Sequence, residues 1–512
     1  MTEAICNQQI AYATSEIIFT HIIGYKLYVA LRRRRVLLKS NFQYICLRSR
    51  FAYRQASYIL TINFNTMKKY IILLLTTFTL LSCNQKSNSN SATGNITRIY
   101  ALEDYHEDFN QMVDLLLKKH PQPHAFTSKE SLDKLIADQY NKITDSTTVG
   151  RFIWICEEIV SAIHCGHAVV WANELNNLPK SMVFPMNVRY DGSRLYIMDP
   201  KNNAKRLSAG DEILSINGVD VETLRNEIFK HLPSDAYNET GKKENVNYYF
   251  RQMCAMFYGL PNSYQVTVKH KDKIEAVNLV QSENLSYTKT FLDNYKNNLC
   301  LDTDLESSTA RITIRSFGYY KKQMPVFKSF VDSCFQHINE SQIENLIIDL
   351  RNNGGGDPYC GSYLLQYITD KPFTYFDKSV RWYGKLKKPI QPNPNRFRNK
   401  PYILINGSCF STTGHFCSLV KENNLGIFIG DETGGTYTCN DFSKTYNLDN
   451  TDLTLRVPTR IVKTTVSTLT NKHGIIPDHK VVPNIDHYLN NRDTVLNYTL
   501  KLIEDKSLVS QQ

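Results

Sequence analysis

From Ala310 to Gly430 the sequence alternates short apolar runs with segments of helical periodicity. The runs ARITIRSF, ENLIIDL, PYILI and GIFIG have the length and composition of buried strands. Helical patterns lie between them, in QMPVFKSFVDSCFQHI, in PYCGSYLLQYI and from Ser411 to Asn424. Such alternation predicts an α/β core in which helices pack on a sheet. Because ligands in these folds bind at the carboxyl ends of strands, we expect functional residues just after ENLIIDL and PYILI.

Ser411 lies between the strand PYILI and the helical segment that follows it. A serine in the first turn of a helix can present its hydroxyl to a cleft while nearby free N–H groups face a developing oxyanion. This position is typical of an acyl-transfer nucleophile. The alternative is that Ser411 only caps the helix, which is a frequent role for serine.

Three glycines, Gly354 to Gly356, follow the buried strand in LIIDLRNNGGGDP. Glycines let the backbone approach a ligand closely and direct N–H groups toward an anion or an oxyanion. A phosphate-binding loop would also need a lysine followed by serine or threonine, which this segment lacks. The glycine turn and Ser411 are both expected at the carboxyl edge of the sheet.

Residues 100–168 show three helical patterns and predict a small N-terminal helical domain, with apolar periodicity in LEDYHEDFNQMVDLLLKKHP, SLDKLIADQYNKI and FIWICEEIVSAI. Residues 169–285 are richer in strand patterns, with short helices. Within them, LSAGDEILSINGVDVETL places a strand before the tight-turn dipeptide Asn217-Gly218. This stretch resembles the core of a PDZ domain, which captures extended peptides by strand addition. A β-hairpin of another domain is the alternative.

Residues 67–83, MKKYIILLLTTFTLLSC, have the layout of an export signal. Two lysines precede an apolar run that is too short to span a bilayer comfortably. The segment resembles a bacterial lipoprotein signal, which implies lipid attachment at Cys83 and an exported protein anchored to the cell envelope. A buried core helix is the alternative. Residues 84–99, which begin with the polar run NQKSNSNSATGN, predict a flexible tether.

Residues 1–66 lie upstream of Met67 and are interpreted as a spurious extension without a stable fold. They hold nine Lys and Arg against two Asp and Glu, and their run Arg32–Arg35 would by itself favour a nucleic acid or a membrane surface. Without them and without Lys68 and Lys69, the formal net charge falls from +11 to +2. We therefore expect no nucleic-acid partner.

Nine of the 12 cysteines remain after Cys83 and the two cysteines upstream of Met67 are set aside, so at least one is unpaired within the chain. No CxxC pair indicates a zinc site. A metal site at His164, Cys165 and His167 is an alternative that adjacent ligands rarely complete, and we expect no metal or cofactor. A cysteine nucleophile, at Cys409 or Cys417, is a second alternative.

In combination, these motifs resemble the S41 serine peptidases, which include the C-terminal processing peptidases and the tricorn core protease. The matching order is a helical segment, GDEILSING, DLRNNGGG, FS before a helix, and GDETGGT, and it covers roughly residues 100–490. The resemblance implies a multidomain α/β and α+β protein with a ClpP/crotonase-like catalytic domain over residues 300–495. It also implies polypeptide substrates.

The resemblance further implies that Ser411 is the nucleophile. In the tricorn-like subgroup the base is a histidine from the N-terminal part, and the matching stretch HCGHA supplies His167. The implied oxyanion hole consists of the N–H groups of Gly354 or Gly355 and of Thr412.

Three motifs depart from the family pattern. Gly414 stands where the family has a glutamate, and Asn471 and Lys472 stand where an acidic residue is expected. The carboxylate that orients the histidine is therefore unassigned, and Glu432 of GDETGG is a candidate. Thr436 stands where another subgroup has a lysine base, so a Ser-Lys dyad is not available.

These patterns favour a lipid-anchored serine endopeptidase that cleaves unfolded or C-terminal segments of envelope proteins. The alternative function is a peptide- or ligand-binding lipoprotein that keeps the fold and has lost catalysis. The departures at Gly414 and Asn471 motivate that alternative.

Overall fold

The computed structural model describes residues 96–510 except 173, 174, 176, 177, 284, 286–289 and 294–296. These residues belong to one compact unit, Asn90–Gln512. The expected extension 1–66, the export signal with Cys83 and the first part of the tether lie outside the described residues. Within the described ranges, no helix has the length and apolar character needed to cross a membrane.

Three helices open the described chain and confirm the helical patterns of the sequence: α1 (Leu102–Lys119), α2 (Lys129–Tyr140) and α3 (Val149–Ser161). Ser128 and Thr148 cap α2 and α3 by accepting the N–H groups of Ser131 and Arg151. Ile96, which belongs to the expected tether 84–99, is fully buried beside Gly150. A short strand, β1 (Val169–Trp171), follows α3.

An antiparallel sheet and two helices occupy residues 187–278. In chain order these are β2 (Asn187–Asp191), β3 (Arg194–Asp199), β4 (Glu212–Ile216), β5 (Val219–Asp220), α4 (Val221–His231), α5 (Thr240–Phe257), β6 (Gln265–His270) and β7 (Lys273–Asn278). The sheet order is β2-β3-β4-β6-β7, with β5 paired to β4. Asn217 and Gly218 form the predicted turn, with φ of 45° and 81°. With 18 residues, α5 is longer than the short helices expected here.

One hydrophobic core joins these helices to this sheet. It contains Phe109 of α1, Phe152 of α3, Ile213 of β4 and Phe250 of α5. The division into 100–168 and 169–285 therefore remains a prediction about sequence modules, since both segments contribute to the same core.

The second half of the chain contains the predicted α/β alternation. Its elements are β8 (Leu299–Asp304), β9 (Thr309–Ile314), α6 (Met324–Glu340), β10 (Asn345–Asp349), α7 (Pro358–Leu365), β11 (Tyr402–Ile405), α8 (Thr412–Glu422), β12 (Ile427–Gly430), β13 (Thr438–Asp441), β14 (Lys444–Asn447), β15 (Thr454–Val457), β16 (Arg460–Lys463), β17 (His479–Lys480), α9 (Ile485–Leu489) and α10 (Thr494–Ser510). The strands between 309 and 430 match the four apolar runs of the sequence to within a few residues.

A six-stranded sheet in the order β17-β12-β11-β10-β9-β8 forms the centre of this half. All its neighbours are parallel except the hairpin β8–β9. Leu346 and Ile348 of β10 share a core with α6, α7 and α8, whereas Ile347 shares a core with α10. Because successive strand residues face opposite sides, helices cover both faces of the sheet.

A buried ion network fixes the end of β10. Asp349 accepts hydrogen bonds from Arg315 and Arg351, and Arg351 Nη1 donates to Asp493 Oδ1 at 2.7 Å. Burial alone would raise the pKa of Asp349, but the two guanidinium groups hold it well below its usual range. The strand therefore ends at a rigid point, directly before the glycine turn.

Strand β1 attaches the N-terminal part of the chain to the C-terminal part. It pairs antiparallel with β15, which also pairs with β14 in a three-stranded sheet. Asp108 of α1 is fully buried and accepts the N–H groups of Asn450 and Thr451, in the turn between β14 and β15. This attachment places His167, two residues before β1, beside the second half.

Candidate active site

Ser411 lies at the start of α8 in an unusual backbone conformation. Its φ of 55° and ψ of −122° fall in a region that residues other than glycine rarely adopt. Its side chain makes no capping hydrogen bond. Instead, Ser411 Oγ lies 3.2 Å from Nε2 of His167. The interpretation of Ser411 as only a helix cap is therefore wrong, and the predicted nucleophile and base are in contact.

His167 is only 7% exposed, and its ring packs on Phe410 at 4.6 Å between centroids. Burial lowers the pKa of His167 to about 4, while the negative charge of Asp441 opposes this shift and the positive charge of Arg456 adds to it. The imidazole is therefore neutral near pH 7. A neutral imidazole at hydrogen-bond distance from a serine can accept its proton.

The glycine turn lies directly against Ser411. Gly355 has φ 97°, and a Cβ atom there would lie 2.9 Å from the backbone N of Thr412. The N–H group of Gly355 donates to Asn353 Oδ1 at 2.9 Å, so Gly355 is not a free oxyanion donor. This corrects the prediction for Gly355 and leaves Gly354, beside which a Cβ atom would meet only open space.

Thr412 is the first residue of α8, where N–H groups have no partner inside the helix. Its hydroxyl donates to the carbonyl of Gly356 at 2.6 Å, which ties the start of the helix to the glycine turn. Across the described ranges, the N–H groups of Thr412 and Gly354 have no protein acceptor. Both are available to the carbonyl oxygen of a substrate.

A cleft of about 640 Å³ opens beside the two reactive residues. Phe410 and Gly354 line it, and so does Gly166, which precedes His167. Tyr248 and Tyr249 of α5 line it as well, with exposed fractions of 69% and 43%. The cleft has room for several residues of an extended chain.

Glu432, the predicted orienting acid, has other partners. Its Oε1 accepts hydrogen bonds from Asn238 Nδ2 at 2.8 Å and from the N–H group of Gly474 at 2.7 Å. No contact between Glu432 and His167 is present in the described part of the chain. Gly414 offers no substitute, because a Cβ atom there would lie 2.7 Å from the backbone of Gly435.

Asp235 is the residue of this site that sequence reasoning missed. It is 5% exposed, and its Oδ1 accepts the N–H group of Gly166 at 2.8 Å. A carboxylate oxygen of Asp235, a ring nitrogen of His167 and Sγ of Cys165 all lie within 4.8 Å of one another. The surrounding sequence, PSDAYN, contains no motif that marks the aspartate, so only the fold brings it to the histidine.

The alternatives left open by the sequence fit this geometry less well. In the metal alternative, His164 already uses Nδ1 for a 2.7 Å contact with the carbonyl of Ala236, and His167 uses Nε2 for Ser411. The cysteine alternative is wrong on burial: Cys409 and Cys417 are fully buried, which raises the pKa of Cys409 to about 12 and that of Cys417 well above its usual value.

All nine cysteines in the described residues have free thiols. At the position of the lysine base of the other subgroup, the hydroxyl of Thr436 donates to the carbonyl of Thr438. Thr436 therefore takes part in backbone structure, and His167 is the base candidate that contacts Ser411.

A serine in contact with a neutral histidine, on an α/β sheet beside an open cleft, is the arrangement of a serine-type peptidase. Residues 308–481 match the model of peptidase family S41, so this part of the chain is similar to that family. The matched segment contains Ser411 and the glycine turn. His167 and Asp235 lie outside it.

Solved structures share the fold. The structure of mature CPAF complexed with lactacystin has a TM-score of 0.56 at 13% identity and covers 80% of this chain and 98% of its own. The crystal structure of mature CPAF has a TM-score of 0.53 at 12% identity, with 78% and 96% covered. No curated protein sequence matches the chain.

Proposed function

We propose that the protein is a serine endopeptidase that cleaves unfolded or C-terminal segments of polypeptides. The observation that carries this proposal is the 3.2 Å contact between Ser411 Oγ and His167 Nε2, two residues 244 positions apart in the chain. A backbone conformation that serine rarely adopts supports it, because strain of this kind is retained where the surrounding structure holds a functional group in place.

In the proposed reaction, Ser411 Oγ attacks the carbonyl carbon of the scissile peptide bond. His167 Nε2 accepts the hydroxyl proton and then donates it to the leaving amine, which leaves an acyl-enzyme ester. A water molecule, deprotonated by the same nitrogen, hydrolyses that ester. The N–H groups of Gly354 and Thr412 stabilise the oxyanion, and one such donor contributes about 3 kcal/mol.

Extended segments are the proposed substrates because the cleft is open and partly lined by exposed aromatic rings. Tyr248 and Tyr249 can pack on apolar side chains of a peptide without enclosing a small ligand. The PDZ-like interpretation of residues 169–285 adds a second contact, since an extended chain can pair with the edge strand β7. A folded protein would present few such segments.

We further propose that the enzyme is anchored to the cell envelope by a lipid on Cys83 and acts on envelope proteins. The segment MKKYIILLLTTFTLLSC supports this, together with the polar run that separates Cys83 from the buried Ile96. Mass spectrometry of the mature N-terminus tests the anchor. A diacylated or triacylated Cys83 supports it, whereas a mature N-terminus upstream of Met67 overturns it.

The activity is tested with a denatured protein substrate and a fluorophosphonate that labels reactive serines. We expect Ser411→Ala to lose the label and to reduce hydrolysis a thousandfold or more. The matched control is Ser418→Ala, in the same helix, whose hydroxyl donates to the carbonyl of His415 and contacts the hydroxyl of Thr464, away from His167. Hydrolysis that survives in Ser411→Ala, or a label on another residue, contradicts the proposal. Tight peptide binding by the unaltered protein without cleavage supports the binding alternative instead.

A further inference from the structure

Two buried polar atoms behind the reactive pair have no partner. Nδ1 of His167 and Oδ2 of Asp235 are inaccessible to solvent and make no hydrogen bond to any described residue. Buried polar atoms are normally paired, so two such atoms side by side need an explanation. The ring of His167 and the carboxylate of Asp235 approach within 4.8 Å, and Nε2 of that ring already faces Ser411. Nδ1 is therefore the nitrogen left for the carboxylate.

Asp235 is held in position by the segment that carries the histidine. Its Oδ1 accepts the N–H group of Gly166, 69 residues earlier in the chain and next to His167. The following residue, Ala236, donates its N–H group to the carbonyl of His164 at 3.0 Å and contacts His164 Nδ1 through its own carbonyl at 2.7 Å. Three contacts thus join residues 164–166 to residues 235–236. The carboxylate and the imidazole belong to one rigid unit.

We infer that Asp235 is the positioning residue for His167: its carboxylate accepts a hydrogen bond from Nδ1–H and so directs the lone pair of Nε2 at the hydroxyl of Ser411. This inference rests on the proposed peptidase function. The ring nitrogen of His167 and the carboxylate of Asp235, which lie within 4.8 Å, can reach hydrogen-bond distance by a small movement of either side chain, since catalytic hydrogen bonds often shorten when substrate binds. A bridging water can also join them. No covalent bond changes at Asp235.

The electrostatics of the site give a reason for such a partner. Burial makes His167 a weak base, because it disfavours the imidazolium that forms when the proton of Ser411 is taken up. An ionised carboxylate at Nδ1 stabilises that imidazolium and fixes the reactive tautomer. Burial also raises the pKa of Asp235 to about 7, and the charge of Asp441 adds to this, so the ionised form is populated near neutral pH.

The groups that face this pair come from several elements. They are Cys165 from the segment before β1, Asp441 from β13, His415 from α8 and Arg456 from β15. The thiol of Cys165 is neutral near pH 7, since burial raises its pKa to about 12, and burial holds His415 neutral by lowering its pKa to about 3. Protonation changes between pH 4 and 8 are therefore expected to occur on Asp235 and His167 as a coupled pair.

The test is the pH profile of kcat/KM for Asp235→Asn, a change that keeps the shape and removes the charge. We expect kcat to fall between about a hundredfold and ten-thousandfold with little change in KM. Activity of the unaltered enzyme falls as pH drops through about 7, where Asp235 gains its proton. In the variant, the acid limb moves down toward pH 4, where only His167 titrates. Asp235→Glu is expected to restore part of kcat.

Glu432→Gln is the matched control, because its partly buried carboxylate lies near the site but is bonded to Asn238 and Gly474. We expect the acid limb of the kcat/KM profile of Glu432→Gln to coincide with that of the unaltered enzyme. A spectroscopic readout is independent of turnover: proton NMR should show a downfield Nδ1–H resonance of His167 that is absent in Asp235→Asn. If Asp235→Asn does not fold, two other measurements test the role of Asp235: the resonance in the unaltered protein and the kcat of Asp235→Glu.

An unchanged kcat and acid limb in a folded Asp235→Asn protein, with no downfield resonance in the unaltered enzyme, overturn the inference. The proposed function survives that result if Ser411→Ala still abolishes hydrolysis. Conversely, an unaltered protein that neither hydrolyses peptides nor reacts with a fluorophosphonate overturns the function itself.

Discussion

The backbone of Gly355 lies so close to Ser411 that a Cβ atom on the glycine would come within 2.8 Å of the serine Cβ. That separation is shorter than real carbon contacts allow. Gly355 also has φ 97°, which disfavours every residue with a side chain. The position of the nucleophile therefore depends on the absence of a side chain at Gly355. This glycine lies in the turn that follows β10, 56 residues before Ser411 in the chain.

The first prediction concerns this contact. Gly355→Ala should push Ser411 away from His167 and abolish fluorophosphonate labelling, and it should also lower the free energy of unfolding by about 1–3 kcal/mol through backbone strain. Gly354→Ala is the matched control, because its Cβ atom would enter open space. Urea unfolding and labelling rates measure both effects. Equal losses of stability in the two variants would contradict the steric explanation.

The second prediction concerns stability at acid pH. His231 stacks on Trp154 at 3.6 Å and is buried, and burial lowers its pKa to about 3. The unfolded chain binds a proton near pH 6.5 and the folded chain does not, so the folded state loses stability as pH falls from 6.5 toward 3. Between pH 6.5 and about pH 5, His231 alone should lower the free energy of unfolding by about 2 kcal/mol.

Urea unfolding of His231→Gln at the two pH values measures this term. We expect the variant to lose less free energy of unfolding on acidification than the unaltered protein, although its stability at neutral pH is lower because the stacking on Trp154 is lost. His124→Gln, at an exposed histidine, is the control and should retain the full acid sensitivity. Identical pH dependence in His231→Gln would show that other groups are responsible.

The third prediction concerns the ion network beneath the glycine turn. Arg351→Met removes one of the two guanidinium groups that neutralise Asp349, which is fully buried. Breaking a buried pair on one side should lower the free energy of unfolding by about 3–5 kcal/mol. The control is Arg311→Met, whose partner Asp302 is half-exposed, and for which we expect a loss of about 1 kcal/mol or less. A small loss in Arg351→Met would mean that Asp349 is stabilised by Arg315 alone.

The central sheet was predictable because its strands are short, apolar and buried on both faces, as β10 and β11 illustrate. Ser411 and the glycine turn were predictable for the same reason, since both follow such strands. Helix α5 carries a local signal as well, since its buried residues Val246, Phe250 and Met253 recur at helical spacing. Its contribution to the cleft appears only in the fold.

Other parts of the site depend on contacts that local sequence does not encode. His167 could be assigned only through the family resemblance, because three residue pairs between β1 and β15 bring it to Ser411. Asp235 lies on an irregular connection after α4, and its distance to His167 follows from tertiary packing. The choice between Gly354 and Gly355 required the hydrogen bond from Gly355 to Asn353.

Because β1 pairs with β15, the proposed catalytic residues come from two separate parts of the chain. The segment that matches the family model holds the nucleophile, while the base and its proposed carboxylate partner come from the half that precedes it. In the proposed reaction either half alone would lack part of the site, and the ladder holds the halves together with the contacts of Asp108 to Asn450 and Thr451. If the chain were cut between the halves, we expect each fragment alone to be inactive. Activity would return when the two fragments associate.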